Sequence, residues 1–282
     1  MVANNILNKL SITPKSIIQL NGGDINKAYA VTTATQRYFL KINTALLYPA
    51  MFIREANGLH ILKNHSQLKV PEVIETGVLN DYQFLLLEWI EEDKATIPLL
   101  YQFGEKIAEM HLNSQPDYGL KDDNYIGSLP QINTLTSNWP EFYANCRLLP
   151  LVKLLRDKHL LSSGDVAKAN QFCASIKNIF PEEKPALLHG DLWSGNYLRT
   201  ASGSIAIFDP AVYYGHREMD IAMTKLFGGF PDEFYIGYND RYPLEKGWHN
   251  RLAYAQLYPL LAHAVLFEQP YINRVRTILH RF

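Results

Sequence analysis

The sequence is poor in cysteine. Only Cys146 and Cys173 occur among 282 residues, and neither has another cysteine or a histidine at the short spacing typical of zinc sites. Both lie in apolar, helix-like stretches, where a buried free thiol is the ordinary state of the side chain. We therefore predict two buried free thiols and no zinc site.

The sequence also lacks long apolar runs and an excess of either charge. No stretch reaches the roughly 18 apolar residues of a membrane span. The formal net charge is −1, and lysine and arginine are scattered along the chain, whereas nucleic-acid and membrane-surface binding typically show as basic patches. Residues 1–6 have neither the charged nor the apolar region of a signal peptide. These absences predict a cytoplasmic protein without nucleic-acid or membrane partners.

Two regions of different secondary-structure pattern follow one another. Five β-rich segments occupy residues 16–88, with one helix at residues 51–65 after the third segment. From residue 91 the pattern is mainly helical, apart from strands on either side of residues 189–196. This order predicts an α+β, two-lobed protein-kinase-like fold and not the alternation of a Rossmann sheet. We assign residues 1–90 to a small β-rich nucleotide-binding lobe that ends in a hinge, and residues 91–282 to a larger, mainly helical catalytic lobe.

The most informative segment is HGDLWSGN at residues 189–196, followed by an apolar run that ends at Asp209. Asp191 precedes Asn196 by five positions, and Asp209 follows Asn196 by thirteen. In kinases an aspartate at the first position accepts the hydroxyl proton, while the asparagine and the second aspartate hold Mg²⁺ against the phosphates. Mg²⁺ prefers such hard oxygen ligands. A mere polar turn with capping carboxylates would not require this order of strand, polar loop, strand and aspartate.

A lysine and a glutamate in the first region fit phosphate binding. Lys41 closes the third β segment, where a kinase lysine reaches the nucleotide phosphates, although an isolated strand lysine is more often exposed to solvent. Glu55 shares a helix face with Phe52 and Leu59, where an acid is costly unless it is paired. The sequence therefore predicts an ion pair between Lys41 and Glu55 that positions the lysine.

Two weaker signals also indicate nucleotide binding. Gly22 and Gly23 lie in the turn between the first two strands and would let the backbone approach phosphates closely, although any hairpin can contain two glycines. Glu88, Trp89 and Ile90 end the fifth strand, and we predict that their main-chain groups hold adenine. The alternative for these three residues is a buried strand with nothing bound.

Aromatic side chains accompany both aspartates of the motif. Trp193 follows the first aspartate by two positions, and Tyr213, Tyr214 and His216 follow the second. Aromatic surfaces suit the apolar faces of a sugar ring, and their polar edges suit its hydroxyls, so we predict that these four residues contact the acceptor. Core packing is the alternative for each. His189 is predicted to hydrogen-bond the loop backbone and to take no part in the chemistry.

These segments resemble those of the fructosamine kinase (ketosamine-3-kinase) family, whose members are relatives of aminoglycoside phosphotransferases. The similarity is carried by HGDLWSGN at 189–196 and FDPAVYYG at 208–215, and it extends to GGDIN at 22–26, MFIREANGL at 51–59, DNYIG at 123–127 and LFGGF at 226–230. It implies that ATP and Mg²⁺ are used to phosphorylate the 3-hydroxyl of a ketosamine, either a small molecule or protein-bound. In such a deglycation repair, the phosphorylated adduct decomposes and frees the amine.

Two alternatives remain open. The first is a kinase for another small hydroxyl compound, such as choline, an aminoglycoside or a hydroxylated amino acid. Sites for cationic substrates of this kind typically carry an acidic cluster, and Glu218 and Asp220 provide an ambiguous sign of one. The second is a non-catalytic binding module, which is disfavoured because the lysine, the base and both metal ligands are all present.

Overall fold

The computed structural model describes residues 2–21, 25–93 and 99–281. It divides into two compact units, one of residues 1–98 and 197–210 and the other of residues 99–196 and 211–282. The chain therefore leaves the second unit after Asn196 and re-enters it at Ala211. This division differs from the predicted boundary near residue 90, because a hairpin from the catalytic segment belongs to the first unit.

The strands and helices follow in chain order. The strands are β1 (Ser16–Leu20), β2 (Lys27–Thr32), β3 (Arg37–Thr44), β4 (Val73–Leu79), β5 (Tyr82–Glu88), β6 (Asn124–Ile126), β7 (Leu129–Gln131), β8 (Ala186–Leu188), β9 (Tyr197–Arg199), β10 (Ile205–Ile207) and β11 (Tyr213–Gly215). The helices are α1 (Val2–Lys9), α2 (Met51–His65), α3 (Leu100–His111), α4 (Trp139–Phe142), α5 (Leu149–Asp157), α6 (Ser163–Ser175), α7 (Glu218–Thr224), α8 (Asp232–Arg241), α9 (Trp248–Ala255), α10 (Leu257–Phe267) and α11 (Tyr271–Leu279).

A five-stranded antiparallel sheet of order β1-β2-β3-β5-β4 forms the centre of the first unit. Ile6 and Leu7 of α1 pack with Leu40 and Phe84 in one apolar cluster of this unit. Helix α2 buries Phe52, Ala56, Leu59 and Leu62, and Phe52 and Leu59 lie on its apolar face as predicted. The five strands and the inserted helix were thus correctly predicted.

The β9–β10 hairpin joins the first unit through main-chain hydrogen bonds. The Lys69 N–H donates to the Ile205 carbonyl at 3.1 Å, and the Ile207 N–H donates to the Lys69 carbonyl at 2.9 Å. The Asp93 N–H donates to the Arg199 carbonyl at 2.9 Å. Because backbone groups make these contacts, no pattern of side chains predicts them.

The second unit is mainly helical and has a core rich in aromatic residues. Helices α3 and α8 approach closely at two glycines. A Cβ atom at Gly104 would lie 2.0 Å from the Phe234 carbonyl oxygen, and one at Gly237 would lie 2.0 Å from that of Tyr101. Any larger residue at either position would push the two helices apart.

The helical segment over residues 139–157 is interrupted. Between α4 and α5 lies a π-helical turn, Tyr143–Leu148, and the Leu149 N–H donates to the Ala144 carbonyl, five residues back. Pro150 follows directly and has no N–H to continue the ordinary ladder. Both cysteines are free; Cys146 is buried as predicted, whereas Cys173 is partly exposed. None of the helices described has both the length and the apolar character needed to cross a lipid bilayer.

Candidate active site

In the first unit, Lys41 lies between two carboxylates. Its Nζ is 2.8 Å from Glu55 Oε1 and 2.6 Å from Asp209 Oδ1. The lysine side chain is only 6% exposed and that of Glu55 12%, whereas that of Asp209 is 44% exposed. The predicted Lys41–Glu55 pair is confirmed, and Asp209 is a second partner that the sequence analysis did not predict.

The two carboxylates determine the charge state of Lys41. Burial alone would lower the pKa of Lys41, but the charges of Asp209 and Glu55 outweigh burial and raise it above its ordinary value. An ammonium group carries three N–H donors. With two of them directed at carboxylates, a third can still bind an anionic oxygen such as that of a phosphate.

Asp209 reaches Lys41 from a turn that follows β10. Its backbone φ is 55°, in the left-handed region that residues with a side chain adopt only at some energetic expense, although aspartate tolerates it better than most. The hairpin that carries Asp209 is fixed to the first unit by the hydrogen bonds of Lys69 described above. The carboxylate is therefore held against the lysine by a defined backbone turn.

The predicted adenine-binding residues lie beside a cavity in the first unit. This cavity measures about 310 Å³ and is lined by residues 88–91, residues 200–202 and Lys69. The side chain of Glu88 receives Lys69 Nζ at 2.7 Å on both oxygens, and the Trp89 ring lies 4.0 Å from the guanidinium carbon of Arg37. Both side chains thus already have protein partners, which agrees with the expectation that this segment acts through its main chain. Gly22 and Gly23, predicted to approach phosphates, lie outside the described residues.

In the second unit, Asp191 and Asn196 are brought together within one loop. The Asn196 side-chain amide donates to the Asp191 carbonyl at 2.8 Å and to Asp191 Oδ2 at 3.0 Å. The Asp191 N–H in turn donates to Nδ1 of the buried His189 at 3.3 Å. The prediction that His189 hydrogen-bonds the loop backbone is confirmed, and Asn196 orients the Asp191 carboxylate.

A buried carboxylate that the sequence analysis did not assign to this loop holds it in place. Asp220, on α7, accepts the His189 N–H at 2.7 Å and the Gly190 N–H at 2.9 Å. Its Oδ2 also lies 3.2 Å from His111 Nε2, and His111 Nδ1 lies 2.8 Å from the Tyr238 hydroxyl. Asp220 is therefore the anchor of the loop that carries Asp191. The only sequence signal was an acidic residue within an apolar helix, which indicates a paired carboxylate but not its partners.

Gly190 allows the loop to contact the next segment of the second unit. Its φ is +83°, and a Cβ atom there would lie 2.0 Å from the Ala211 carbonyl oxygen. The Ala211 N–H donates to the His189 carbonyl at 2.9 Å. A residue with a side chain at position 190 would be both strained and blocked, so the glycine of this motif is a steric requirement.

Of the four predicted acceptor residues, two are part of the core. Tyr213 and His216 are 1% and 0% exposed; the Tyr213 ring lies 4.0 Å from the Arg147 guanidinium carbon, and the His216 ring packs 5.8 Å from that of Trp139. The prediction that these two side chains contact the acceptor is therefore wrong, because neither has surface to offer. Both side chains are packed in the core, which was the alternative prediction for each.

Trp193 and Tyr214 keep the exposure that an acceptor contact requires. Both are partly exposed, and the Trp193 ring makes an edge-to-face contact with Phe227 at 5.9 Å. A Cβ atom at Gly195 would lie 2.4 Å from this indole ring. Gly195 therefore provides the space in which the ring of Trp193 lies.

Comparison with known proteins gives the family. The profile of the fructosamine kinase family matches residues 3–282. The chain belongs to the fructosamine kinase family. It is 36% identical to a probable ketoamine kinase of Vibrio parahaemolyticus, over 99% of this chain and 96% of the relative. It is 37% identical to one of Enterococcus faecium, over 98% of each chain. The protein is accordingly a phosphotransferase.

Solved structures show the fold. A candidate fructosamine-3-kinase from Haemophilus somnus superimposes with a TM-score of 0.88 at 30% identity, over 99% of this chain and 96% of that one. An aminoglycoside phosphotransferase, APH(4)-Ia, crystallised with AMP-PNP and hygromycin B, superimposes with a TM-score of 0.67 at 16% identity, over 99% of this chain and 97% of that one. The protein-kinase-like α+β fold is therefore confirmed.

Glu218 and Asp220, the ambiguous sign of an acidic cluster for a cationic substrate, are buried in the structure. Glu218 is 2% exposed and receives Arg251 Nη2 at 2.5 Å. Asp220 is 1% exposed and accepts the loop N–H groups described above. Both carboxylates are thus satisfied inside the second unit, and neither presents an oxygen for a cationic substrate.

The donor types of the predicted metal ligands fit Mg²⁺. Asp209 supplies a partly exposed carboxylate and Asn196 an amide, both oxygen donors of the kind that this ion prefers. In the part of the chain that the structure describes, no group of three or more His, Cys, Asp or Glu residues could hold a metal by itself.

Proposed function

We propose that this protein is an ATP-dependent kinase that phosphorylates the 3-hydroxyl of ketosamines, the Amadori products of sugars with amines. The product would then decompose and release the amine, which makes the reaction a deglycation repair. Membership of the fructosamine kinase family along residues 3–282 is the observation that carries this proposal. The nucleotide found with a neighbour of the same fold supports the use of ATP.

Each polar residue of the motif receives one role in this reaction. Asp191 accepts the proton of the 3-hydroxyl as that oxygen attacks the γ-phosphorus, and the bond from this phosphorus to the leaving ADP oxygen breaks. Lys41 binds a phosphate oxygen with its third N–H, the one that is not directed at Glu55 or Asp209. Asn196 and Asp209 would hold Mg²⁺, which when bound neutralises phosphate charge.

The nucleotide base is assigned to residues 88–90. Their side chains are engaged with Lys69 and Arg37, so we assign recognition of adenine to main-chain N–H and C=O groups. Gly22 and Gly23 are assigned to the phosphates on sequence alone. Of the four residues predicted to contact the acceptor, we keep Trp193 and Tyr214, because these two have exposed surface. We call this pair the acceptor wall.

The internal pairing of Glu218 and Asp220 favours a ketosamine over a polycationic aminoglycoside as acceptor. A polycationic acceptor is typically met by several exposed carboxylates. In this chain, Glu218 and Asp220, the two acidic residues that followed the second motif aspartate, already bind Arg251 and the loop backbone. The proposed acceptor wall is aromatic instead, which suits a sugar ring.

A panel of acceptors tests the proposal. Purified protein is incubated with ATP and Mg²⁺ and with fructose-lysine, ribulose-lysine, erythrulose-lysine, choline or kanamycin, and the position of any new phosphate is found by ³¹P-coupled NMR. We expect 3-phosphorylation of at least one ketosamine and no reaction of choline or kanamycin. Activity on choline or kanamycin with none on any ketosamine would overturn the assignment.

Removing the Trp193 ring tests the acceptor wall. Burying a large aromatic side chain against a ligand contributes on the order of a few kcal/mol. We therefore expect Trp193→Ala to lower kcat/KM for the ketosamine about tenfold or more and to leave the KM for ATP nearly unchanged. An equal loss for both substrates would mean that Trp193 supports the fold and does not contact the acceptor.

A further inference from the structure

A row of four aromatic rings begins at Trp193 and continues through the second unit. The ring of Trp193 lies 5.9 Å from that of Phe227, Phe227 lies 4.8 Å from His263, and His263 lies 5.0 Å from Tyr271. The four residues come from the loop after β8, the turn after α7, and helices α10 and α11. All four are partly exposed, in contrast to the buried rings of the core of this unit. We call them the aromatic row.

The backbone of the LFGGF segment is shaped to present Phe227. Gly228 and Gly229 have φ values of +91° and +70°, which residues with a side chain rarely adopt. Beyond this turn, Phe230 is buried and packs 5.9 Å from Phe103 and 4.9 Å from Phe234. The two aromatic residues of the segment thus serve different purposes, one in the core and the other in the aromatic row.

His263 contributes a hydrogen-bond acceptor to the aromatic row. Its Nδ1 lies 2.8 Å from the Pro259 carbonyl oxygen, and since that oxygen can only accept, Nδ1 carries the hydrogen. Burial lowers the pKa of His263 despite the opposing effect of this carbonyl, which favours the neutral form of the ring. Nε2 therefore carries a lone pair, and no described residue donates a hydrogen bond to it.

Aromatic faces combined with a neutral acceptor suit an organic ammonium group. Ring faces attract a cation when it lies within about 6 Å of their centres, and the His263 lone pair can accept one of its N–H bonds. A ketosamine carries a secondary amine next to the sugar, and this amine is protonated in water. We propose that the aromatic row is the subsite for this amine, in which His263 Nε2 accepts a hydrogen bond from the N–H. This inference rests on the proposed function and deepens it.

The position of the aromatic row relative to the chemistry is consistent with this role. Trp193 follows Asp191 by two residues in the same anchored loop, so the row starts beside the proposed base. The amine and the sugar of a ketosamine are joined by one carbon atom, and the remainder of the amine extends away from the sugar. A row that leads from Trp193 to the partly exposed ring of Tyr271 would follow that remainder outward.

A matched pair of acceptors isolates the amine. One acceptor is 1-deoxy-1-(propylamino)fructose, and the other is the ether 1-O-propylfructose, which has the same shape but no N–H and no charge. We expect the wild-type enzyme to prefer the amine about tenfold or more in KM, with a similar kcat for the two. In His263→Phe, which keeps the ring but removes Nε2, the preference should fall to about twofold, while the KM for ATP stays unchanged.

Two further variants separate this role from a structural one. His263→Gln retains an acceptor oxygen and should restore most of the preference for the amine. His249→Phe removes a histidine that also stacks on an aromatic ring, Trp248, at 3.6 Å but lies outside the aromatic row, and it should behave as wild type. Thermal unfolding of each variant verifies that it is folded.

The outcomes distinguish the subsite from the proposed function. If wild type phosphorylates the amine and His263→Phe keeps the full preference, the subsite is overturned while the kinase assignment stands. If wild type phosphorylates neither acceptor nor any other ketosamine, both are overturned. Loss of the preference in His263→Phe and its recovery in His263→Gln support the subsite.

Discussion

Two carboxylate-centred clusters, one in each unit, hold the residues of the proposed reaction in different ways. In the first unit, Lys41 Nζ lies 2.8 Å from Glu55 and 2.6 Å from Asp209, so charged side chains hold one another. In the second unit, Asp220 accepts backbone N–H groups of His189 and Gly190 at 2.7 and 2.9 Å. The first cluster keeps one carboxylate 44% exposed, whereas Asp220 is 1% exposed.

The difference corresponds to the role proposed for each cluster. In the proposed reaction Lys41 keeps both carboxylates and binds a phosphate with its third N–H, and the partly exposed Asp209 is the partner that faces solvent. A base that must stay at one position needs a rigid loop, and a buried carboxylate bonded to main chain gives rigidity without adding an exposed charge. Substitutions that change charge should therefore affect the function of the first cluster. Substitutions that remove acceptor atoms from Asp220 should affect the stability of the second.

The largest effect on kcat is expected when the proposed base is lost while both carboxylate clusters stay unchanged. Asp191→Asn keeps the size of the side chain and removes its basicity. A positioned general base contributes on the order of 10²–10⁴-fold, so kcat should fall by that range while ATP binding, measured by calorimetry, is retained. Turnover above roughly a tenth of wild type would exclude Asp191 as the base.

Changing the backbone anchor should affect both stability and rate. Asp220→Ala leaves two buried N–H groups and His111 without their acceptor, and unmet buried donors cost about 1–3 kcal/mol each. We expect the free energy of unfolding to fall by about 2–4 kcal/mol. In addition, kcat should fall because the loop that carries Asp191 loses its fixed position.

Asp220→Asn is the matched control for this change. Asparagine keeps one acceptor oxygen, so it should retain one of the two backbone hydrogen bonds and lose about half as much stability, as measured by urea unfolding. If Asp220→Asn were as unstable as Asp220→Ala, the negative charge near His111 would matter more than the bonds to main chain.

The ion pair of the first unit should show coupling between its two members in the use of ATP. Lys41→Met and Glu55→Gln should each raise the KM for ATP, and the double variant should be less impaired than the sum of both. Residues in contact typically couple by about 0.5–3 kcal/mol in such cycles. Strict additivity in kcat/KM for ATP would show that the pair does not act as a unit.

These two clusters also explain what could be predicted from the sequence. A lysine in a β segment and a glutamate on an apolar helix face indicate each other, because a lone buried charge is unfavourable. The Lys41–Glu55 pair was predicted for that reason. Asp220 was recognised as acidic, but its partners are backbone N–H groups, which every residue has, so no side-chain pattern identifies them.

The same distinction holds for the fold and the aromatic residues. Periodicity predicted the strands of the first sheet and helix α2, whereas the placement of the β9–β10 hairpin in the first unit depends on main-chain bonds to Lys69. Tyr213 and His216 were assigned to the acceptor because they follow Asp209, but residue type alone does not distinguish a core ring from an exposed one. His263 was not considered, since its contact with Phe227 joins helix α10 to a distant turn.

Asp165 contacts both a backbone N–H and cationic side chains. The smallest of the expected effects, a change in stability with pH, concerns this residue. Its Oδ2 accepts the Ser162 N–H at 2.8 Å at the start of α6, and its Oδ1 lies 2.8 Å from His280 Nε2 beyond the end of α11. Burial acts to raise the pKa of Asp165, but the bonds from His280 and Ser162 and the charge of Arg276 outweigh it and lower the pKa to about 2. The folded state therefore favours the ionised form.

The sign of the pH dependence follows from this lowered pKa. The stabilisation by Asp165 is fully present above its unfolded pKa of about 4 and is lost as the pH falls towards 2. Because His280 and Arg276 are 58% and 42% exposed, solvent screens their charges, and we expect a loss of about 1–2 kcal/mol. Urea unfolding at pH 5 and at pH 2.5 should thus show wild type and Asp165→Asn differing at the higher pH and converging at the lower one. Asp157→Asn, which alters a 58% exposed carboxylate paired with Lys153, should show no such convergence. An equal difference between wild type and Asp165→Asn at both pH values would mean that the hydrogen bonds of Asp165 matter and its charge does not.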